Sequence, residues 1–386
     1  MKPMNSTLSK YGVTVFEAMS RLALENNAIN LGQGFPDENG PEELRQIAAN
    51  AVIRGPNQYP PMLGIPELRQ AVAAHNKRFY ELDLNWETEI MVTSGATEAI
   101  ASSLFGLLEP GDEVILIEPL YDCYLPLVER AGGIPKFVQL KAPQWELPQD
   151  QFSEAFSAKT KLIILNSPHN PGSKVFSRDE LQFITDLVIK NNTYVVCDEV
   201  YEHLVFDDHK HIPLMTFPGM RDRCVKVGSA GKTFSMTAWK VGYISASENL
   251  LKAISKAHQF LTFTTPTFLQ EAVAVGLSQN DIYFKNLRSI QQKKRDRLKH
   301  ALDEIGFEVL KVEGTYFLSI DIRSVGFMGS DVDFCKDIIR KAGVAAIPIS
   351  AFYQGEDSGS FARFCFSKKD HILDDATKLL GQYINS

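Results

Sequence analysis

The sequence predicts an α/β protein: a mostly parallel sheet covered on both faces by helices, followed by a smaller α+β lobe. Two observations carry this. Between Glu89 and Tyr201, short continuous apolar runs (EIMVTSG, EVILIEP, KFVQL, KLIILNSP, TYVVCDEVY) alternate with helix-length segments near 97–108, 122–131 and 178–191. Uninterrupted apolar strands between helices are what a sheet buried on both faces requires. Beyond residue 306 the runs shorten (FEVLKV, TYFLSIDI, VAAIPIS, FARFCFS) and two helices, 331–342 and 370–384, join them. With 386 residues the chain has room for two domains, or one large domain with an appendage.

Composition narrows the function classes. A hydrophobic fraction of 44%, a charged fraction of 23% and a net charge of −7 describe an ordinary globular chain and argue against nucleic acid or an anionic membrane as partner. Cys123, Cys197, Cys224, Cys335 and Cys365 are scattered, without a CxxC pair, and read as reduced thiols. Residues 1–10 lack the apolar core of a signal peptide, and no run of about 18 apolar residues follows. A cytoplasmic protein is expected.

Taken in order, Val15, Phe16, Met19, Leu22 and Ala23 fall at helical spacing within 12–28, and INLGQGFPD then breaks into a glycine-rich loop. Gly32 and Gly34 form a GxG, but a dinucleotide fingerprint needs glycine where Asp37 stands. The loop reads either as a plain turn or as one whose backbone amides approach a substrate carboxylate. A helix at 41–53 leads into a rigid Pro/Gly segment that exposes Tyr59, and a helix at 66–80 follows. After the sheet region comes VKVGSAGKTFSMTAWKVG, with Lys232 in a tight turn at a strand end. Its GKT resembles a P-loop, but that motif needs glycine at the position of Lys226. Two readings remain: a solvated surface lysine, or a lysine that forms a Schiff base with an aldehyde cofactor, small neighbours letting a phosphate approach. VGYISAS, a helix at 248–258, the polar-aromatic stretch HQFLTFTTPTFLQ and a long charged helix at 286–305 lead to the second lobe.

Ligands of such sheets collect beyond the carboxyl ends of the strands, where Gly95–Thr97, Tyr121, Asn166–Asn170 and Asp198–Tyr201 fall. The turn through Gly95, Ala96 and Thr97 passes from strand to helix and offers amides to a phosphate. Ser229 and Lys240 join them if the strand after Trp239 returns beside the Lys232 turn. Asp198 ends an apolar strand and needs a cationic partner, which a protonated pyridine nitrogen or a nearby arginine or lysine would supply. Tyr201 and Asn170 can donate to a phenolate oxygen, and Tyr121 can stack on a ring. Arg363 sits mid-strand among aromatics, a place for a carboxylate clamp or a structural salt bridge. His209 and His211, with Asp207 and Asp208, read as a solvated turn, so no metal is expected.

The order NSPHNPG, DEVY, SAGKTFSMTAWKVGY, RFCF resembles the class I/II, fold-type I pyridoxal-phosphate aminotransferases. Within them the chain is most similar to the kynurenine, glutamine and methionine aminotransferase subgroup, which shares LGQGFPD and NQY. The resemblance spans essentially the whole chain. It implies a large domain with a mostly parallel seven-stranded sheet (46–294), a small α+β domain (295–386), an N-terminal segment (1–45) joining the small domain, and a homodimer. It implies Lys232 as the Schiff-base lysine and proton shuttle, Asp198 on the pyridine nitrogen, Tyr201 and Asn170 on the ring oxygen, and Tyr121 stacked on the ring. The phosphate would fall to Gly95, Ala96, Thr97, Ser229 and Lys240, with Tyr59 reaching the neighbouring subunit's phosphate. Arg363 would hold the substrate carboxylate and Gly34 line its site. Lys240 departs from the arginine of many relatives, and Tyr121 from their phenylalanine or tryptophan.

The expected activity is ping-pong transfer of an amino group to a 2-oxo acid. Val15, Phe16, Tyr121, Phe263, Phe268 and Phe352 are the expected lining, which suits methionine, aromatic amino acids, kynurenine or glutamine. A cysteine-conjugate β-lyase is the rival enzyme. A cofactor-binding sensor is more distant, since no basic DNA-binding segment is present.

Overall fold

The computed structural model describes residues 2–355 and 359–386. Seven strands form the large sheet: β1 Ile90–Thr93, β2 Glu113–Glu118, β3 Ile134–Gln139, β4 Thr160–Asn166, β5 Tyr194–Asp198, β6 Cys224–Ser229 and β7 Gly242–Ala246. Their order is β1-β7-β6-β5-β4-β2-β3. Only β7 runs antiparallel to its neighbours, because the chain turns straight back over residues 230–241 instead of crossing the sheet by a helix.

The apolar runs are continuous because both faces are buried. Successive side chains point to opposite faces, and two cores form accordingly. Ile115, Ile163 and Val195 pack into one, and Val114, Leu162 and Val196 into the other.

The second lobe holds an antiparallel sheet of β8 Glu308–Val309, β9 Phe317–Asp321, β10 Ile347–Pro348 and β11 Phe361–Cys365, in the order β10-β11-β9-β8. The N-terminal segment belongs with it: Ile29–Asn30 pairs in parallel with Val344–Ala345. A 24-residue helix, Asp281–Glu304, joins the lobes. Its Arg295 forks onto Asp207 at 2.6 and 2.9 Å, and its Gln291 donates to Ser367 at 2.9 Å.

Two local differences from the sequence reading matter. Lys232 lies in a single-turn helix, Ala230–Thr233, not a tight turn. The stretch read as polar-aromatic runs into the helix Thr267–Leu277, which starts after Pro266 and packs on helices Glu42–Arg54 and Pro66–Tyr80. Its apolar residues lie all round the helix, so no one-sided periodicity betrays it. Among the described residues no helix is long and apolar enough to cross a membrane.

Candidate active site

A cavity of about 170 Å³ opens beyond the carboxyl ends of β1, β4, β5 and β6. Asn166 and Asp198 end β4 and β5, Ser229 ends β6, and the helix Gly95–Leu107 starts two residues after β1. Lys232, Tyr121, Asn170, Tyr201 and Lys240 complete the wall. The sheet topology thus brings together residues spread over nearly 150 positions.

One rim is built for an anion. Gly95 has φ +79°, a conformation glycine adopts without penalty, and the chain turns there from strand into helix. The Ser94 side chain does not cap that helix. A Cβ on Gly95 would lie 3.1 Å from Lys240 Nζ, so the lysine reaches over the helix start. Gly242 lets β7 press against the same turn, a Cβ there falling 2.6 Å from the Gly95 carbonyl carbon. Because Gly242 pairs with both Thr93 and Ser229, the returning strand sets the helix amides, Ser229 and Lys240 around one point.

Asp198 lines the same cavity. Tyr124 Oη donates to its Oδ2 at 2.6 Å and the Val200 N–H to its Oδ1 at 3.3 Å. Burial raises its pKa, while these two donors and the charge of Lys232 oppose the rise. Among the described residues no arginine or lysine forms a salt bridge with it. The carboxylate is therefore ready for a cation that the chain itself does not supply.

Lys232 lines the cavity too. Its Nζ is 2.8 Å from Tyr316 Oη and 3.5 Å from the Gly34 carbonyl. Burial lowers the ammonium to about 8; Cys365 and Asp198 act against this, while Arg363 and Lys240 add to it. The Tyr201 ring meets Tyr316 edge-on at 5.1 Å, and burial pushes the Tyr201 phenol up.

Arg363 comes from the small lobe, paired across β11 with Ser319 and Ile347. Nη1 donates to Asn170 Oδ1 at 2.7 Å and Nη2 to the Gly32 carbonyl at 3.1 Å, while Nε is buried without a partner. Its guanidinium lies 3.8 Å from the Phe317 ring centroid and within 5.4 Å of those of Phe16 and Phe352. No carboxylate pairs with it among the described residues, so the salt-bridge reading is replaced by a buried cation with a free donor; burial lowers it to about 10.

Some expectations need correction. The amides of Gly32 and Gln33 are taken by Asn30 Oδ1 at 2.9 and 3.1 Å, which leaves only the Gly34 amide of this loop for a substrate carboxylate, while the Gly32 and Gly34 carbonyls accept from Arg363 and Tyr316. Phe263 and Phe268 do not line the cavity. Phe263 packs on Tyr59 at 5.5 Å, and Tyr59, 82% exposed, shares an outer groove with Phe268. The loop read as a solvated turn divides: Asp207 pairs with Arg295, but the His211 side chain is buried against Glu199 at 2.8 Å. Glu199 and Glu202 flank Lys226 at 3.6 and 2.7 Å behind the sheet, a buried charge cluster the sequence reading did not foresee.

Two site residues were missed. Tyr124 stands three positions after Tyr121 at the start of the helix Tyr124–Arg130, and that spacing puts it on the side facing β5. Tyr316, read only as part of a strand, precedes β9 and points back across the lobe boundary.

Comparison with known proteins agrees with this geometry. The family model described as aminotransferase class I and II matches residues 26–378. The probable N-succinyldiaminopimelate aminotransferase DapC of Mycobacterium tuberculosis is 43% identical, over 97% of each chain. The kynurenine–oxoglutarate transaminase of Dictyostelium discoideum is 39% identical, over 97% of this chain and 95% of that one. The structure of YbdL from Escherichia coli, described as having a methionine aminotransferase function, superposes with a TM-score of 0.96 at 39% identity, over 99% of this chain and 100% of that one. With this match, and a buried amine, carboxylate and anion rim set around one cavity, the chain belongs to the class I and II aminotransferases, pyridoxal-phosphate-dependent enzymes of fold type I.

Proposed function

We propose that the enzyme moves the amino group of a donor with a large uncharged side chain (methionine, phenylalanine or tyrosine, kynurenine, glutamine) to a 2-oxo acid in a ping-pong cycle. The observation that carries the reading is Arg363: a buried guanidinium with an unpaired Nε, set among aromatic rings and hydrogen-bonded to Asn170 of the cavity wall.

Pyridoxal phosphate fits the residues present. The helix start with Lys240, free of a Ser94 side-chain cap, suits its dianion, Asp198 without a salt-bridge partner suits its ring nitrogen, and Lys232 lines the same cavity. When bound, it supplies a carbonyl carbon that takes up amines covalently and a ring that accepts electrons. The roles of the chain follow. Gly95, Ala96, Thr97, Ser229 and Lys240 would hold the phosphate, Tyr201 and Asn170 the ring oxygen, and Tyr121 would pack on the ring. Asp198 would keep a proton on the ring nitrogen. Lys232 would anchor the cofactor through Nζ, and the free Nζ would take up the donor's Cα proton and, in the other half of the cycle, deliver one to the acceptor carbon. Its lowered pKa makes the free amine accessible near neutral pH. Arg363 orients the donor carboxylate, with Gly34 beside it.

The outer wall supports the choice of donor. Phe16 and Phe352 pack 5.7 Å apart, and Val15, Tyr121 and Phe352 border a groove in which Asp122 is the one charged lining residue among those described. A side-chain carboxylate there meets a like charge instead of a clamp. The relatives named for methionine and kynurenine agree with this reading, and the one named for N-succinyldiaminopimelate supplies the contrasting substrate for the test. We further infer a homodimer, in which the exposed Tyr59 reaches the partner's phosphate site, and a cytoplasmic location, supported by five free thiols.

A donor screen on purified protein tests the reading, with Lys232→Ala as control. Wild type should hold pyridoxal phosphate in a form fixed by borohydride, and the variant should not. Strong activity on aspartate with none on methionine or phenylalanine sinks the donor class. Pyruvate plus a thiol from a cysteine conjugate, without amino transfer, favours the β-lyase.

A further inference from the structure

We infer that Tyr316 is a positioning residue for the Lys232 amine: it holds Nζ as an acceptor, leaves the nitrogen lone pair turned to the cavity, and ties the amine to the loop that braces Arg363. Hydrogen counting leads to this arrangement. Tyr316 Oη carries a single hydrogen and lies 2.7 Å from the Gly34 carbonyl, which can only accept. That hydrogen goes to the Gly34 carbonyl, which has none to give in return, whereas the Tyr201 hydroxyl, the other hydrogen-bond neighbour of Tyr316, brings a hydrogen of its own. Towards Lys232 Nζ, at 2.8 Å, the same oxygen can only accept, and Nζ must donate. The second neighbour of Nζ, the Gly34 carbonyl at 3.5 Å, is likewise an acceptor. The amine is therefore held through its hydrogens, and on deprotonation the lone pair is the feature left without a partner.

The tie extends further. Gly34 and Gly32 belong to one loop, and the Gly32 carbonyl accepts from Arg363 Nη2 at 3.1 Å. The loop thus connects the cation proposed for the donor's carboxylate with the amine proposed for its Cα proton, and Tyr316 is the link to the amine. Its surroundings hold the Tyr316 ring in place, since it is buried and lies edge-on to Tyr201 at 5.1 Å and to Phe317 at 4.7 Å.

This inference rests on Lys232 being the residue that carries the cofactor, and Lys232→Ala tests that separately: if it still binds pyridoxal phosphate in borohydride-fixable form, the underlying reading fails whatever Tyr316 does. For Tyr316 the measurement is the rate at which apoenzyme takes up pyridoxal phosphate as a function of pH, which reads the amine directly. An acceptor favours the ammonium, so Tyr316→Phe should move the midpoint down by about one pH unit. The limiting rate should fall about 10-fold as the amine loses its orientation, and kcat for a good donor should fall similarly with KM within about twofold. A fluorotyrosine placed at 316, a weaker acceptor of nearly the same shape, should give an intermediate midpoint and covers the case in which the phenylalanine variant folds poorly. An unchanged midpoint in both variants overturns the proposal.

Discussion

Replacing Gly242 with alanine tests the anion rim at its tightest point. The added Cβ would lie 2.6 Å from the Gly95 carbonyl carbon, 2.8 Å from the Ala96 nitrogen and 3.0 Å from the Gly95 Cα. Carbon atoms are at ease about 3.5 Å apart, so strand and helix start must separate by roughly 0.9 Å. All three neighbours are backbone, and no side chain can swing away. Gly242 is itself fixed on both sides by its pairing with Thr93 and Ser229, so the helix start has to move. Overpacking of this kind costs about 1–3 kcal/mol of stability. A displacement near 1 Å of groups that position a ligand costs up to about 100-fold. Titration of apoenzyme with pyridoxal phosphate, followed by fluorescence below the melting transition, should show affinity weakened by about 10- to 100-fold. Pyridoxal without its phosphate should be affected much less. If Gly242→Ala lowers the melting temperature yet binds pyridoxal phosphate within twofold of wild type, the phosphate is not held at this rim.

Arg363→Lys replaces a fork with a point charge that cannot satisfy Asn170, Gly32 and a carboxylate together. KM for the donor should rise roughly 10- to 100-fold in steady-state assays, with cofactor affinity unchanged. Lys232 has its pKa lowered to about 8 in the folded protein, against 10.5 for an ordinary lysine. Between those values the unfolded chain binds more protons, so stability rises with pH. The melting temperature of the apoenzyme should trail that of Lys232→Met below pH 8, and the gap should close as pH rises toward 10.5. Lys226→Met leaves Glu202 and Glu199 buried without their cation. Urea melts should show a loss of about 3–5 kcal/mol, more than half of it recovered when Glu202→Gln is added.

The sheet was legible because β4, β5 and β6 are continuous apolar runs that end in polar residues at the same edge, so Asn166, Asp198 and Ser229 announced the site before any contact was known. Arg363 was legible for the opposite reason, as a charge where the pattern demanded none. Residues whose roles lie in a single long-range hydrogen bond were not legible. Tyr124 and Tyr316 look like packing aromatics, and nothing local says that their hydroxyls meet Asp198 and Lys232. Nor did local pattern show which amides of the glycine loop would be taken, since Asn30 Oδ1 occupies those of Gly32 and Gln33. Phe263 and Phe268 lie outside this protomer's cavity, and aromatic composition gave no direction to show it: their stretch folds onto the surface beside Tyr59, the residue inferred to reach the partner.

The unpartnered Nε of Arg363 has a consequence for amines that lack a carboxyl group. Such a molecule can reach Lys232, but it leaves the guanidinium as it stands, desolvated and with a donor unanswered. Sites that keep a buried polar group waiting for one ligand reject analogues without the matching group by factors of about 10⁴. On this reading, decarboxylated amines are excluded without a steric barrier, by what they fail to complete.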